Sequence, residues 1–271
     1  MRIRNRTPLW RRVVRYGGRR LLHFAESNSV ARIDRNGELW LIRGLISLYA
    51  SRGAEPRLTV IDAGANDGDY TAVVLREAKR RGREITVHAI EPSPRCTAHL
   101  RARFAGCAEV RIVQAAIGNR TGTGMLHGGD CGSTHASLVS RQVLAGAGEI
   151  EVPMMRLEDY LGEHSIETVH LLKLDVEGFE MAALQGLGDK LNPDLLHFIQ
   201  FEYGGATLEA GTSLLELYRL LSKAGYLVAK LFPHALEVRA YNPGMEHYAY
   251  SNFVALSPRW HGLESRRDRP E

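Results

Sequence analysis

The residues best suited to chemistry in this chain are carboxylates and a pair of glycines, each set directly after an apolar run. In VIDAGANDGDYT (60–71) the run ends at Ile61, Asp62 follows, Gly64 and Gly68 mark a turn, and a helical pattern takes over. Glycines in such a turn let the backbone approach a ligand closely. The free N–H groups of the next helix face polar ligand atoms. Glu91 follows the run ITVHAI, 23 residues beyond Gly68. An acid about 20 residues after a glycine turn is placed to grip a ribose, two hydroxyls donating to two carboxylate oxygens. Pro92 then turns the chain and can wall an adenine ring. Further on, KLDVEGFE puts Asp175 at the end of one apolar run with Glu177 in the turn, and QFEY puts Glu202 at the end of another.

The turn narrows the ligand. A dinucleotide site reads GxGxxG, with the pyrophosphate over the helix N-terminus. Here Ala65 and Asn66 replace the middle glycine, and Asp67 and Asp69 open the helix. Two carboxylates repel a pyrophosphate but tolerate a nucleoside ligand that carries an amine and a sulfonium, and Asp62 can pair with such an amine. A nicotinamide-dependent oxidoreductase is the main alternative, and a non-catalytic nucleoside-binding protein the second.

These positions require elements to hold them. Helical patterns cover 8–24 and 38–51, where Leu39, Ile42, Leu45, Ile46 and Tyr49 recur at helical spacing. Strand-like runs at 58–64, 85–90 and 110–117 alternate with helices at 69–81 and 94–104. After a segment at 118–148 with eight glycines, strands are expected at 149–157, 169–175, 195–203, 226–232 and 251–257, with helices at 178–187 and 212–224. Strands separated by helices imply an α/β doubly wound sheet with helices on both faces. Ligands then sit outside the carboxyl ends of the strands, where strand order reverses. The expected organisation is a basic helical extension over 1–54, one domain over 55–258 and a polar tail over 259–271.

VIDAGANDGDYT, AIEPSP, QAAIGN, LLKLDVEGFEMAALQGL and FEY together resemble the FkbM family of S-adenosylmethionine-dependent methyltransferases, over about residues 58–256. The resemblance implies a class I, Rossmann-like sheet of seven mostly parallel strands with one antiparallel strand. It also implies O-methylation of a sugar, glycolipid or natural-product hydroxyl. It assigns Asp62, Gly64, Asn66 and Gly68 to the methionine end of the cofactor and Glu91 to the ribose. Ala115 and Ala116 would flank the adenine, and Asp175, Glu177 and Glu202 would face the reaction centre.

Methyl transfer from a sulfonium to a hydroxyl needs a held oxygen, a dry site and a proton acceptor. Asp175 and Glu202 are carboxylate candidates for the general base. Glu177 also suits the cap of the following helix. His127 and His135, in the glycine-rich segment, are the histidine candidates. HGGDCGSTHASLV (127–139) is a candidate lid, with Ser133 and Thr134 as hydrogen-bond partners for cofactor or substrate. Three clustered carboxylates offer a Mg2+ site as a second way to acidify the hydroxyl. No compact metal motif is present, so no residue is assigned as a metal ligand, and base and metal stay open.

Composition sets the outer bounds. The 271 residues are 44% hydrophobic and 24% charged, ordinary for a globular chain. No apolar run reaches the length of a membrane span. Cys96, Cys107 and Cys131 form no CxxC pair, and a cytoplasmic, reducing setting is the expectation. The net charge of +4 comes from the first twenty residues, which hold eight arginines and no acid; the rest is mildly acidic. Such an arm suits a solvated helix, or peripheral contact with phosphates, anionic lipid or an acidic substrate. No aromatic-plus-basic interleaving marks a nucleic-acid platform. Oligomeric state is not legible in the sequence.

Overall fold

The computed structural model describes residues 8–28, 31–52, 57–128, 136–140 and 148–260. In chain order the elements are α1 (Leu9–Ala25), α2 (Glu38–Arg52), β1 (Arg57–Ala63), α3 (Asp69–Arg80), β2 (Glu84–Ile90), α4 (Pro94–Arg103) and β3 (Val110–Val113). Then come β4 (Ala116–Ile117), β5 (Gly122–His127), β6 (Glu149–Met155), α5 (Leu157–Glu163), β7 (Leu171–Leu174), α6 (Glu180–Gln185) and β8 (Phe198–Tyr203). The last are α7 (Gly205–Glu209), α8 (Leu214–Lys223), β9 (Leu227–Phe232), β10 (Ala235–Val238) and β11 (Ser251–Leu256).

The main sheet runs β10-β9-β11-β8-β7-β1-β2-β3. β3, β2, β1, β7 and β8 pair in parallel, and β11 lies antiparallel between β8 and β9. Apart from β10 at the edge, this is the expected seven-stranded, mostly parallel sheet with one antiparallel strand, the class I methyltransferase architecture. Strand order reverses between β1 and β7, which opens a crevice at their carboxyl ends. β1, β2, β7 and β8 are buried over most of their length on both faces, which matches their largely apolar sequences. Ile61, Leu157, Leu161, Leu172, Leu217 and Phe253 belong to one core cluster. Val60, Val74, Val87 and Phe198 belong to a second, with Leu41, Ile42, Leu45, Ile46 and Tyr49 of α2. The apolar stripe read from the sequence of α2 is therefore its packing face.

Two departures from the sequence reading bear on the main sheet. The run 110–117 is not one strand: β3 stops at Val113, and Ala116–Ile117 joins β6 in a second, three-stranded sheet ordered β4-β6-β5. The chain leaves the main ladder there to cross the crevice. The second departure is an eighth strand, β10, joined to β9 by a two-residue turn at Pro233 and His234. It lies on the sheet edge and buries none of its residues fully, so no alternating pattern announced it. Among the described residues, no helix is long and apolar enough to cross a membrane.

Candidate functional site

A cavity of about 570 Å³ opens at the carboxyl ends of β1, β2, β7 and β8. Pockets of a few hundred Å³ with a few convergent polar groups are typical cofactor sites. The walls come from chain segments far apart in sequence.

β1 ends in the glycine turn. Gly64 has φ +83°, and a Cβ there would lie 1.8 Å from the main-chain oxygen of Asp175. The glycine lets the turns after β1 and β7 touch, and it lines the cavity. Asn66, in left-handed backbone at φ +47°, also lines it. Gly68 does not. Its φ is +86°, and a Cβ would strike Phe104 and Leu100, so it serves the packing of α3 on α4. Asp69 faces away as well, bonded to Arg103 at 2.8 Å. A main premise against a pyrophosphate therefore weakens, because that acid is paired outside the cavity.

Asp62, expected at the methionine end of the cofactor, is absent from the cavity wall. It still lies inside the ladder, opposite Ala89 and Lys173, and is fully buried. Its Oδ2 accepts a hydrogen bond from the Thr71 hydroxyl at 2.7 Å, and Lys173 Nζ lies 3.9 Å from Oδ1. Asp62 is walled in because β2 and β7 both run alongside it.

Glu91 lies just past the end of β2 and lines the cavity beside Pro92. Its Oε2 accepts from the Asn66 amide at 2.9 Å and its Oε1 from the Ser93 amide at 2.8 Å. Each oxygen keeps a lone pair for a further donor. Burial pushes its pKa up against these two bonds. Ala115 and Ala116 form the wall opposite, where small side chains leave room for a flat ring.

The other end of the cavity is a set of acids. Lys173 Nζ donates to Asp175 Oδ2 at 2.8 Å and lies over the Tyr70 ring at 4.8 Å. Glu202 is held well above the usual carboxylate range by burial, by the charge of Asp175 and by a hydrogen bond to Asp175. Of the two acids, Glu202 is therefore the one that holds a proton more tightly, while Asp175 has the lysine beside it. Glu177 lines the cavity in left-handed backbone at φ +51°, and its carbonyl accepts from the Ser137 hydroxyl at 2.6 Å.

Glu180, in the same KLDVEGFE segment, was not singled out by the sequence reading. It is buried in the cavity wall, and its Oε1 accepts from the amides of Val176 and Gly178. Burial lifts its pKa to about 7. Because the folded value exceeds the ordinary one, this group favours the fold fully below about pH 4.5 and loses that contribution as pH rises to about 7. Glu180→Gln keeps an acceptor for both amides, so it is expected to stabilise the protein above pH 7 by up to about 3 kcal/mol. Thermal melts at pH 5 and pH 8 check this, and an equal change at both values would refute it. Tyr250 and Thr207 also line the cavity, and no local pattern marked either.

The histidine candidates fare differently. His127 pairs with Glu149 across β5 and β6 at 2.9 Å and does not line the cavity. His135, Ser133 and Thr134 lie outside the described residues. Of the candidate lid, Ala136, Ser137 and Leu138 do form part of the cavity wall. Among the described residues, no group of three or more His, Cys, Asp or Glu side chains is arranged to hold a metal ion, so the Mg2+ alternative gains no support.

Five carboxylates (Glu91, Asp175, Glu177, Glu180 and Glu202) line the cavity, and no lysine, arginine or histidine is among the described lining residues. That charge balance fits a sulfonium and an ammonium group, and Glu91 fits a ribose.

Comparison with known proteins agrees. The pattern described as the methyltransferase FkbM domain matches residues 62–228. The 2-O-methyltransferase NoeI of Sinorhizobium fredii is 27% identical over 196 residues, covering 68% of this chain and 78% of that protein. The 31-O-demethyl-FK506 methyltransferase FkbM of Streptomyces tacrolimicus is 28% identical over 205 residues, covering 62% and 75%. Methyltransferase 1 of Beauveria bassiana is 29% identical over 150 residues, covering 48% and 59%. The nicotinamide-dependent and non-catalytic alternatives give way to this result. The domain match spans more than half of the chain, and the protein belongs to the FkbM family of S-adenosylmethionine-dependent methyltransferases.

Proposed function

We propose that the protein is an O-methyltransferase acting on a hydroxyl of a sugar, glycolipid or natural-product acceptor. The observation that carries this reading is the pairing of Asp175 with Glu202 in the cavity wall, where Asp175 accepts from Lys173 at 2.8 Å and is placed to take a proton. Two of the relatives have names that state transfer to oxygen.

S-adenosylmethionine supplies an electrophilic methyl group. Glu91 would hold the ribose hydroxyls, Pro92, Ala115 and Ala116 would enclose the adenine, and Gly64 and Asn66 would border the methionine end. Asp175 would accept the proton of the acceptor hydroxyl. Lys173 and Glu202 hold Asp175 in place and ionised until that moment, and Glu177 borders the acceptor. A positioned base contributes roughly 10²–10⁴-fold, and positioning can supply several kcal/mol more.

The test is transfer of a carbon-13 methyl group to a panel of glycosides, glycolipids and hydroxylated macrolides. Carbon–proton correlation spectra then identify the atom methylated. An ether methyl on one acceptor class is expected. A product methylated on nitrogen or carbon would overturn the reading.

A further inference from the structure

We propose that α1 is an interfacial helix that docks this protein on an anionic lipid bilayer. None of its seventeen residues is buried. Leu9, Trp10 and Phe24 are 73%, 62% and 87% exposed. At about 100° per residue, Leu9, Trp10, Val13, Val14, Leu21 and Phe24 fall along one arc of the helix. Arg11, Arg12, Arg15 and Arg19 fall along the opposite arc. Two residues are exceptions: the exposed Leu22 falls among the arginines, and Arg20 falls on the apolar side, where its guanidinium lies over the Tyr16 ring at 5.3 Å and its Nε donates to the Tyr16 hydroxyl at 3.0 Å. The helix contains no aspartate or glutamate.

This stripe requires a cover. Gly17 and Gly18 weaken a helix none of whose residues is buried and whose His23, near its C-terminal end, meets the body at His247 with ring centroids 6.4 Å apart. The stabilising contribution must come from whatever buries the apolar arc. Leu, Val, Trp and Phe on one side with arginines on the other is the chemistry of a bilayer interface. The apolar arc sinks to the acyl boundary while the guanidinium groups meet lipid phosphates. A second copy of the same helix offers no acid to those arginines. The rest of the chain is mildly acidic, so attraction to an anionic surface is concentrated in this arm.

The root of the helix is tied to the body. Glu26 accepts from Lys230 at 2.9 Å and from Arg239 at 3.1 Å. Asn28 accepts from Lys230 at 2.6 Å and lies 3.3 Å from His247 Nε2. Three residues on, Ala31 lines the active-site cavity. A docked α1 therefore brings the mouth of that cavity close to the lipid surface, whichever hydroxyl accepts the methyl group.

The full chain is sedimented with vesicles of phosphatidylcholine alone and of equal parts phosphatidylcholine and phosphatidylglycerol. Binding to the mixed vesicles, little binding to the neutral ones, and release by salt are expected. The triple variant Arg11→Ala, Arg15→Ala, Arg19→Ala should bind about a hundredfold more weakly. Trp10→Glu with Val14→Glu should lose binding altogether. Both variants should keep the parent's melting temperature and its affinity for S-adenosylhomocysteine, since none of these side chains touches the body. Failure of the parent to bind mixed vesicles, or binding that the variants leave unchanged, overturns the proposal. A dimer abolished by the glutamates, or retention of RNA, in a protein that ignores vesicles overturns it equally. The readout is lipid binding, so it stands or falls apart from the acceptor assay.

Discussion

Asp175→Asn is expected to lower kcat by about 10²–10⁴-fold while changing affinity for S-adenosylmethionine by only a few-fold. Asparagine matches aspartate in shape. Its oxygen can still accept from Lys173, and its amide can donate to Glu202, so the cavity keeps its form. What is lost is the group that takes the proton. The contrast with Glu202→Gln is the decisive part. Burial and the adjacent Asp175 charge raise Glu202 well above the usual carboxylate range, so its expected role is to donate a hydrogen bond that a glutamine amide also supplies. Glu202→Gln should therefore cost less than about tenfold. Single-turnover rates on the two variants, with melting temperatures as a check on folding, read this directly. The opposite ranking would make Glu202 the base and Asp175 its partner. The Asp175→Asn variant has a further signature. Removing the Asp175 charge eases ionisation of Glu202, so residual activity should climb with pH more steeply than in the parent.

Glu91→Ala is expected to weaken S-adenosylmethionine binding by about 10²–10³-fold, with a much smaller effect on kcat at saturation. Hydrogen bonds to a charged acceptor are worth about 1.5–3 kcal/mol each, and two are lost with the ribose. The substitution also leaves the amides of Asn66 and Ser93 without their acceptor, which loosens the turn that carries Gly64. Calorimetry with S-adenosylmethionine, S-adenosylhomocysteine and adenosine separates these contributions. All three carry the ribose, so all three should weaken together. A loss confined to the ligands that carry a methionine chain would place Glu91 elsewhere along the cofactor. Acid should act in the same direction. Burial raises the pKa of Glu91, and only the ionised carboxylate accepts from both hydroxyls. Affinity should then begin to fall on acidification above the ordinary carboxylate range, and Glu91→Ala should remove that dependence.

Some of the site was open to reading from the chain alone, because its signals are local. The run before Gly64, the helix after Gly68 and an acid directly after β2 all follow from periodicity and turn chemistry within a few residues. The same holds for α2, whose apolar spacing is the face it buries. Glu91 and Asp175 each sit one place past a strand end and face the crevice in the cavity wall. Asp62 sits one place short of the end of β1 and is walled in by β2 and β7.

The rest depended on partners far away in the chain. Gly64 is required by the carbonyl of Asp175 and Gly68 by Phe104, and neither need is written near either glycine. Asp69 is claimed by Arg103 and His127 by Glu149. Which of two neighbouring acids keeps the proton follows from a lysine beneath one of them and from the burial of the other. The amino-acid sequence by itself determined the order of strands and helices, the glycine turn and the acids at the strand ends, since backbone preference and apolar period act over short stretches. Only the tertiary structure decided which of those acids share a cavity and which holds its proton more tightly, because charge and desolvation act through space between residues the chain keeps far apart.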